Sequence, residues 1–456
     1  MVMSREKEGH MYLSNIHIEN FKGIKNADFS FERTVNLIIG NNGTGKTSVL
    51  EAVAVALGGF LSGIDEVNTI HFSKDEIRRE NQLTGTGSNN IIYKTPISVN
   101  ACLELNVGSA NEPENYLFQF MRQKKSVKSA RSTVEPRDIC KAAKAMADNR
   151  YAVLPLISYQ SFSRVSNQKK DKWENPFSDD YSRVVGYVDC LEEAANDKML
   201  SNWCKKMEQI AWQQGEMIIE YEIVKNTVSQ FMQYMQEDER IHIFYDKRTE
   251  ELSYSNTEEI LPIRLLSSGF RNLLGMVFDI AYRMAVLNPD LLEEITKKTP
   301  GIVLIDEIDM HLHPKWQWKV VDALKNTFPM VQFIATTHSP IIIASCKEEN
   351  LIMLHLEDVF LDKPSEVVRG KTAKGWMADS VLKEYMHTDN RAPETMAMLK
   401  RLSELAKKKL AGNMEVQDKE EYTRLIQELS IILPEDDIAI EEAAFMSINE
   451  ILGEKF

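Results

Sequence analysis

The sequence predicts an α/β fold in which one sheet is assembled from two distant parts of the chain. Three apolar strands, each ending in polar residues, carry that expectation. Thr34-Val-Asn-Leu-Ile-Ile39 runs into a glycine-rich loop and then a helix. Gly301-Ile-Val-Leu-Ile305 ends on Asp306 and Glu307, and Phe333-Ile-Ala-Thr-Thr-His338 ends on Ser339-Pro340. Short apolar runs bounded by turn signals read as buried strands.

The elements follow in order. Tyr12–Phe21 alternates as a strand, Lys22–Asn26 is a turn, and Asp28–Phe31 pairs back. Thr47–Leu57 reads as a helix stopped by Gly58-Gly59, because glycine commonly ends helices. Thr84–Asn90 is a loop, and Ile91–Val107 adds strand. Arg122–Arg150 is polar and basic, and Tyr151–Tyr159 returns to strand. Leu191–Glu237 is helical, with Trp203, Met207, Ile210 and Ala211 at helical spacing. Strands are expected at Ile241–Tyr245 and Asn350–His355, and acidic helices after Trp376. On those helices Met396, Leu399, Leu402 and Leu405 fall on one face, so that face must be buried.

A chain of 456 residues is too long for one small core. Hydrophobic residues at 43% and charged residues at 27% are ordinary for a soluble protein. No run approaches the roughly 18 apolar residues of a membrane span, and the polar N-terminus lacks a signal-peptide core. Five cysteines stand singly, which fits free thiols in a reducing cytoplasm. The net charge of −14 argues against a coat of nucleic acid but allows a local basic surface.

Gly40-Asn41-Asn42-Gly43-Thr44-Gly45-Lys46-Thr47, followed by Ser48, satisfies GxxxxGK[ST] between a strand and a helix. Such a loop turns backbone N–H groups toward phosphates, aided by the helix dipole. Lys46 would reach the β- and γ-phosphates of ATP, and the Thr47 hydroxyl would ligate Mg2+. A buried strand would deliver Asp306 to the same sheet edge as a second Mg2+ ligand, with Glu307 placed as general base.

Leu266-Ser267-Ser268-Gly269-Phe270 resembles the LSGGQ signature of ABC-type heads, with Ser268 and Phe270 departing from it. The order of P-loop, signature, Asp306-Glu307, Asp309 and His338 resembles the ABC-type ATPases of the RecF, SMC and OLD group. Asp306–Gln317, Leu154–Tyr159 with Arg164 downstream, and Gly375–Leu382 resemble the compact prokaryotic anti-phage and retron-associated ATPases, above all the Septu type. The resemblance implies an α/β P-loop head split in sequence, with a helical insertion and a helical C-terminal region. Its parts would be an N-terminal lobe over 1–120, a mostly helical insertion over 121–240, a C-terminal lobe over 241–360, and helices over 361–456.

The resemblance also implies roles. Ser267, Ser268 and Gly269 would face ATP held by a second protomer, and Asp309 would approach the dimer interface. His338 would contact the γ-phosphate, and Gln160 would sense Mg2+ and water. A homodimer would close around ATP and regulate a separate HNH-type nuclease subunit. The alternative is a RecF-like repair or loading ATPase. A self-contained OLD-type nuclease would need a strand-borne acidic pair after His338, and only Glu435-Asp436-Asp437 is present. His311-Leu312-His313 has the spacing of a metal pair but no evident third ligand. Arg122, Lys124, Lys125, Lys128 and Arg131 form a basic run that reads as a DNA contact or as a solvated loop.

Overall fold

The computed structural model describes residues 11–83, 89–107, 114–161, 182–192, 197–354, 373–389, 391–434 and 437. The chain divides into two compact units, Met1–Val381 and Leu382–Phe456.

The first unit opens with β1 (Met11–Phe21), β2 (Ile24–Ser30) and β3 (Val35–Gly40), and α1 (Lys46–Leu61) follows β3. A small hairpin, β4 (Arg79–Leu83) and β5 (Asn89–Tyr93), precedes β6 (Ile97–Asn106), β7 (Asn115–Lys124) and β8 (Thr133–Glu135). Then come α2 (Asp138–Asp148), β9 (Leu156–Ser161), and the long helices α3 (Asp197–Gln214) and α4 (Ile219–Gln236). A meander of β10 (His242–Asp246), β11 (Glu251–Ser255) and β12 (Ile260–Pro262) leads to α5 (Ser268–Leu287) and the short α6 (Ile295–Lys298). The last part holds β13 (Gly301–Asp306), α7 (Pro314–Gln317), α8 (Val320–Thr327), β14 (Val331–Thr336), α9 (Pro340–Ser345) and β15 (Leu351–Leu354).

Two five-stranded sheets organise this unit. The central sheet has the order β15-β3-β14-β13-β9. All its pairings are parallel. Its strands β13, β14 and β15 are buried along nearly their whole length, as a sheet covered on both faces requires. The other sheet, β2-β1-β6-β7-β8, is antiparallel. Along β1 buried residues alternate with partly exposed ones, so only one face is covered. Helix α1 packs against both sheets and is buried on nearly every side.

The expected stop of α1 at Gly58-Gly59 is corrected by the structure: the helix continues to Leu61. The two glycines serve close approach instead. A Cβ on Gly58 would lie 2.2 Å from Nη1 of Arg122, and one on Gly59 would lie 2.8 Å from the Phe120 ring. The expected lobe boundary at residue 120 falls inside β7, and β9, within the expected insertion, is an edge strand of the central sheet.

A buried glutamine ties the two sheets together. Gln332 on β14 accepts from Leu13 N at 2.9 Å and donates to Leu13 O at 3.0 Å and Glu32 O at 2.8 Å. The register of β1 shifts between Leu13 and Asn15, which leaves backbone groups for the side chain to satisfy.

In the second unit α11 (Pro393–Leu410) and α12 (Val416–Ile432) form a helical hairpin, preceded across the unit boundary by α10 (Ala378–Tyr385). Leu402 and Leu405 bury against Tyr422, Leu425 and Leu429, with Leu399 packed at the edge. Leu399, Leu402 and Leu405 of the stripe read from the sequence are therefore covered by the neighbouring helix, while Met396 lies outside that cluster. Arg401 braces the hairpin by donating from Nε and Nη2 to both carboxylate oxygens of Glu421, at 3.0 and 2.7 Å.

Replacing Gln332 with leucine keeps the volume but orphans two buried backbone groups, the N–H and C=O of Leu13, each worth about 1–3 kcal/mol when unsatisfied, while Glu32 O keeps Asn36 Nδ2 at 2.8 Å. Gln332→Leu should shift the urea unfolding midpoint clearly downward. An unchanged midpoint would show that the two sheets do not need this side chain.

Candidate active site

Strand β3 delivers the glycine-rich loop at the C-terminal edge of the central sheet. Gly40 has φ 153°, and a Cβ there would lie 2.6 Å from Leu354 O on β15. Gly43 and Gly45 adopt left-handed backbone at φ 82° and 93°, which favours glycine. Thr44 Oγ1 donates to Asn41 O at 2.9 Å and closes the loop. Lys46 Nζ folds across it, donating to Gly40 O at 2.8 Å and Asn41 O at 3.0 Å. Asn41, Asn42, Gly43 and Thr47 are exposed, Ser48 is half-buried, and Lys46 is buried. Burial pushes the lysine's pKa down, and Asp306, Glu307 and Asp309 work against that shift.

Strand β14 separates β3 from β13, and its end braces both neighbours. Thr47 Oγ1 lies 3.2 Å from each carboxylate oxygen of Asp306. Thr336 Oγ1 donates to Asp306 Oδ1 at 2.6 Å and accepts from Glu307 N at 2.7 Å. Glu307 is exposed in left-handed backbone at φ 55°, so its carboxylate projects from a turn and not from the strand. Asp309 Oδ1 accepts from Thr337 Oγ1 at 2.6 Å and from His338 N at 3.1 Å. The His338 ring is half-buried. Burial, then nearby Lys46, lowers its pKa, which keeps the imidazole neutral near pH 7; Asp309, Glu307 and Asp306 oppose this.

The signature-like segment opens α5. Ser267 caps the helix, its hydroxyl accepting from Phe270 N at 3.4 Å, and Ser267 and Ser268 are exposed. A Cβ on Gly269 would lie 2.1 Å from His311 O, so only glycine fits there. Phe270, the departure from the family pattern, is buried edge-on between Tyr254 at 5.2 Å and Trp316 at 5.7 Å. It anchors the N-terminus of α5.

Two expectations change. Gln160 pairs in register with Ile305, so its side chain lies on the opposite sheet face from that of Asp306. Its amide donates to Asp279 Oδ2 and Ser158 Oγ, both at 2.7 Å, and Arg283 closes this buried network on Asp279 at 2.9 Å. That employment accounts for Gln160 without Mg2+. The basic run is not one surface: Arg122 is wholly buried and Lys124 nearly so. Arg122 donates to Val55 O at 2.7 Å near the end of α1, and its burial pushes its pKa down to about 10. Lys124 donates to Phe72 O at 2.9 Å, which leaves Lys125, Lys128 and Arg131 exposed. The His313 imidazole has a structural use, since it caps α7 by accepting from Lys315 N at 3.2 Å. No cluster of three metal-ligating side chains occurs among the described residues. Arg164, Glu435 and Asp436 lie outside them.

The residues present fit ATP and Mg2+. The loop offers glycines at positive φ and a lysine on loop carbonyls, while Thr47 and Asp306 supply the hard oxygen donors that Mg2+ prefers. The sequence reading missed Thr336, Thr337 and the Gly269–His311 approach. The doubled threonine before His338 was the available signal for the first two. Lys46→Ala should abolish tight ATP binding, because the loop loses its cation; isothermal titration with ATP tests this, and unchanged affinity would dismiss the site.

The family described as an AAA domain matches residues 15–259, and a second AAA domain family matches residues 219–344. The chain is 26% identical over 449 residues to the "Retron Vc95 probable ATPase" of Vibrio cholerae, covering 87% of this chain and 84% of that protein. It is 24% identical over 390 residues to the "Septu protein PtuA" of Bacillus thuringiensis, covering 83% and 85%. A match to the DNA replication and repair protein RecF of Francisella tularensis is 46% identical but spans 43 residues, 9% of this chain and 12% of that one. Among solved structures, an SMC head bound to the C-terminal winged-helix domain of ScpA aligns with a TM-score of 0.43 and 18% identity, over 75% of this chain and 94% of that one. The resemblance to retron-associated and Septu ATPases read from the motifs thus extends over most of the chain. With more than half of its length matched by that first family, the chain belongs to the AAA domain family.

Proposed function

We propose that this chain is an ATP-hydrolysing head that closes as a dimer around ATP and regulates a separate nuclease in anti-phage defence. The observation that carries the reading is the convergence of Lys46, Thr47, Asp306, Glu307 and His338 at one sheet edge, where Thr47 bonds Asp306, Thr336 joins Asp306 to Glu307, and Asp309 holds the backbone of His338. Lys46 and the loop amides would hold the β- and γ-phosphates, and Thr47 and Asp306 would hold Mg2+. That ion, when bound, supplies charge neutralisation at the phosphates. Glu307 would accept the proton of the attacking water, and His338 would meet the γ-phosphate.

Dimerisation is supported by the exposed Ser267 and Ser268 at the start of α5. A helix N-terminus facing outward suits a phosphate carried by a second protomer. Regulation of an HNH-type nuclease rests on the Septu resemblance. A RecF-like repair role is the weaker reading, because the RecF match spans 9% of this chain while the retron and Septu relatives span most of it. DNA contact loses support with Arg122 and Lys124 buried. We place the protein in the cytoplasm; no helix among the described residues is long and apolar enough to cross a membrane.

Glu307→Gln should keep ATP affinity and slow turnover by about 10²–10⁴-fold, the usual contribution of a general base. It should also trap an ATP-dependent dimer visible by size-exclusion chromatography. Wild-type turnover in this variant would remove Glu307 from the base role. For the partner, cutting the chain after Tyr385 removes the α11–α12 hairpin, whose buried contacts are its own. The shortened protein should bind ATP normally and lose co-purification with the nuclease encoded beside it. Retained co-purification would place the docking surface on the head.

A further inference from the structure

We propose that Thr336 is a positioning residue for ATP hydrolysis, holding Glu307 at its station above the sheet edge. The proposal rests on the reading of Glu307 as general base. Thr336 ends β14 and has no exposed surface. It grips the turn after β13 at three consecutive residues. Its hydroxyl donates to Asp306 Oδ1 at 2.6 Å and accepts from Glu307 N at 2.7 Å, and its carbonyl accepts from Ile308 N at 3.0 Å.

The hydroxyl has one proton, and Asp306 takes it. A lone pair is then aimed at the amide of Glu307, so the rotor has a single setting. Thr336 is wholly buried and both bonds are partly so, which strengthens them and makes an unpaired group there costly. They matter because Glu307 sits at φ 55°, a conformation that a non-glycine residue holds only when its surroundings impose it. The Glu307 side chain is exposed, so packing cannot fix it. Its aim is set by the backbone, and the backbone is set by Thr336. A valine here would match the shape and lose both bonds. The amide of Glu307 would then be free to turn back to extended backbone, carrying the carboxylate away from the sheet edge. Ligand-orienting partners of this kind typically cost about 10–100-fold in activity when removed.

The test is a mutant cycle measured on the full-length protein. Thr336→Val should lower kcat about 10–100-fold while ATP affinity by titration, and KM, stay within about threefold. Thr336→Ser, which keeps the hydroxyl, should restore most of the rate. In the Glu307→Gln background, Thr336→Val should cost clearly less than in the wild type, because a misplaced carboxamide is no worse than a placed one and only the bond to Asp306 remains to be lost. Normal kcat in Thr336→Val overturns the proposal. So does an undiminished second loss in the Glu307→Gln background, or an equal loss of ATP affinity, since either would mean general damage. If the valine variant does not fold, Thr336→Cys takes its place, its thiol being a weak donor and acceptor, with the same outcomes expected. Wild-type turnover by Glu307→Gln alone overturns the base reading and this proposal with it. Slow turnover by Glu307→Gln beside a normal Thr336→Val overturns the positioning role only.

Discussion

The buried hydroxyl of Thr336 lies 2.6 Å from Asp306 Oδ1 and 2.7 Å from Glu307 N, and the rest of the sheet edge is arranged around that junction. It exists because β14 is inserted between β3 and β13. The insertion gives β14 a neighbour on each side that ends in reactive groups. One side brings the phosphate loop and the other brings the carboxylates. Thr47, at the start of α1, and Asp306 meet across this strand's end, at 3.2 Å, although β3 and β13 are not adjacent. The sheet order is therefore the device that turns two distant segments into one site, in accord with the general placement of ligands at the C-terminal edges of parallel strands.

Much of this was legible because buried strands and phosphate loops leave strong local signals. The runs at Thr34–Ile39, Gly301–Ile305 and Phe333–Thr336 are apolar for one reason: the sheet they form is covered on both faces by α1 and α5 with their neighbours. The loop glycines are needed because Gly43 and Gly45 hold positive φ and Gly40 lies 2.6 Å, at its missing Cβ, from Leu354 O. What the sequence did not disclose was tertiary. Gly58 and Gly59 have the form of a helix stop, but the space they leave is filled by Arg122 and Phe120 from β7. A glycine chosen for close approach and one chosen for left-handed backbone look alike until the partner is known.

The basic run taught the same lesson with charge. Arg122 and Lys124 alternate with Gln123 along a strand, and alternate residues point to opposite faces. Even so, Gln123 is buried along with both cations, because β7 ends beneath the segment at residues 69–72, whose carbonyls the cations satisfy. Their desolvation is offset by those carbonyls and, for Arg122, by the carbonyl of Val55 on α1. Charge in a sequence marks a surface only when the strand carrying it has a free face. Gln160 followed the same logic from the other side, since register with Ile305 gave it to α5 and left Ser161 level with Asp306.

Close approach also constrains how the two halves of the proposed dimer would work. Gly269 presses against the carbonyl of His311, which itself holds left-handed backbone at φ 62°. Phe270, the next residue, is wedged between Tyr254 and Trp316. Packed contacts of this kind have discrete arrangements and little slack. The signature-like end of α5 therefore cannot shift without moving the turn from Asp306 to His311. That turn carries Glu307, and through Asp309 it also holds Thr337 and the backbone of His338. In the dimer we propose, Ser267 and Ser268 would meet the nucleotide of the second protomer while Glu307 and His338 serve this protomer's own. The Gly269–His311 contact would then join the two nucleotides within each chain, so that one site could not close without drawing the residues of the other into register. In the regulatory head we propose, such a joint would matter more than speed, because the output would be the state of the pair and not the amount of ADP released.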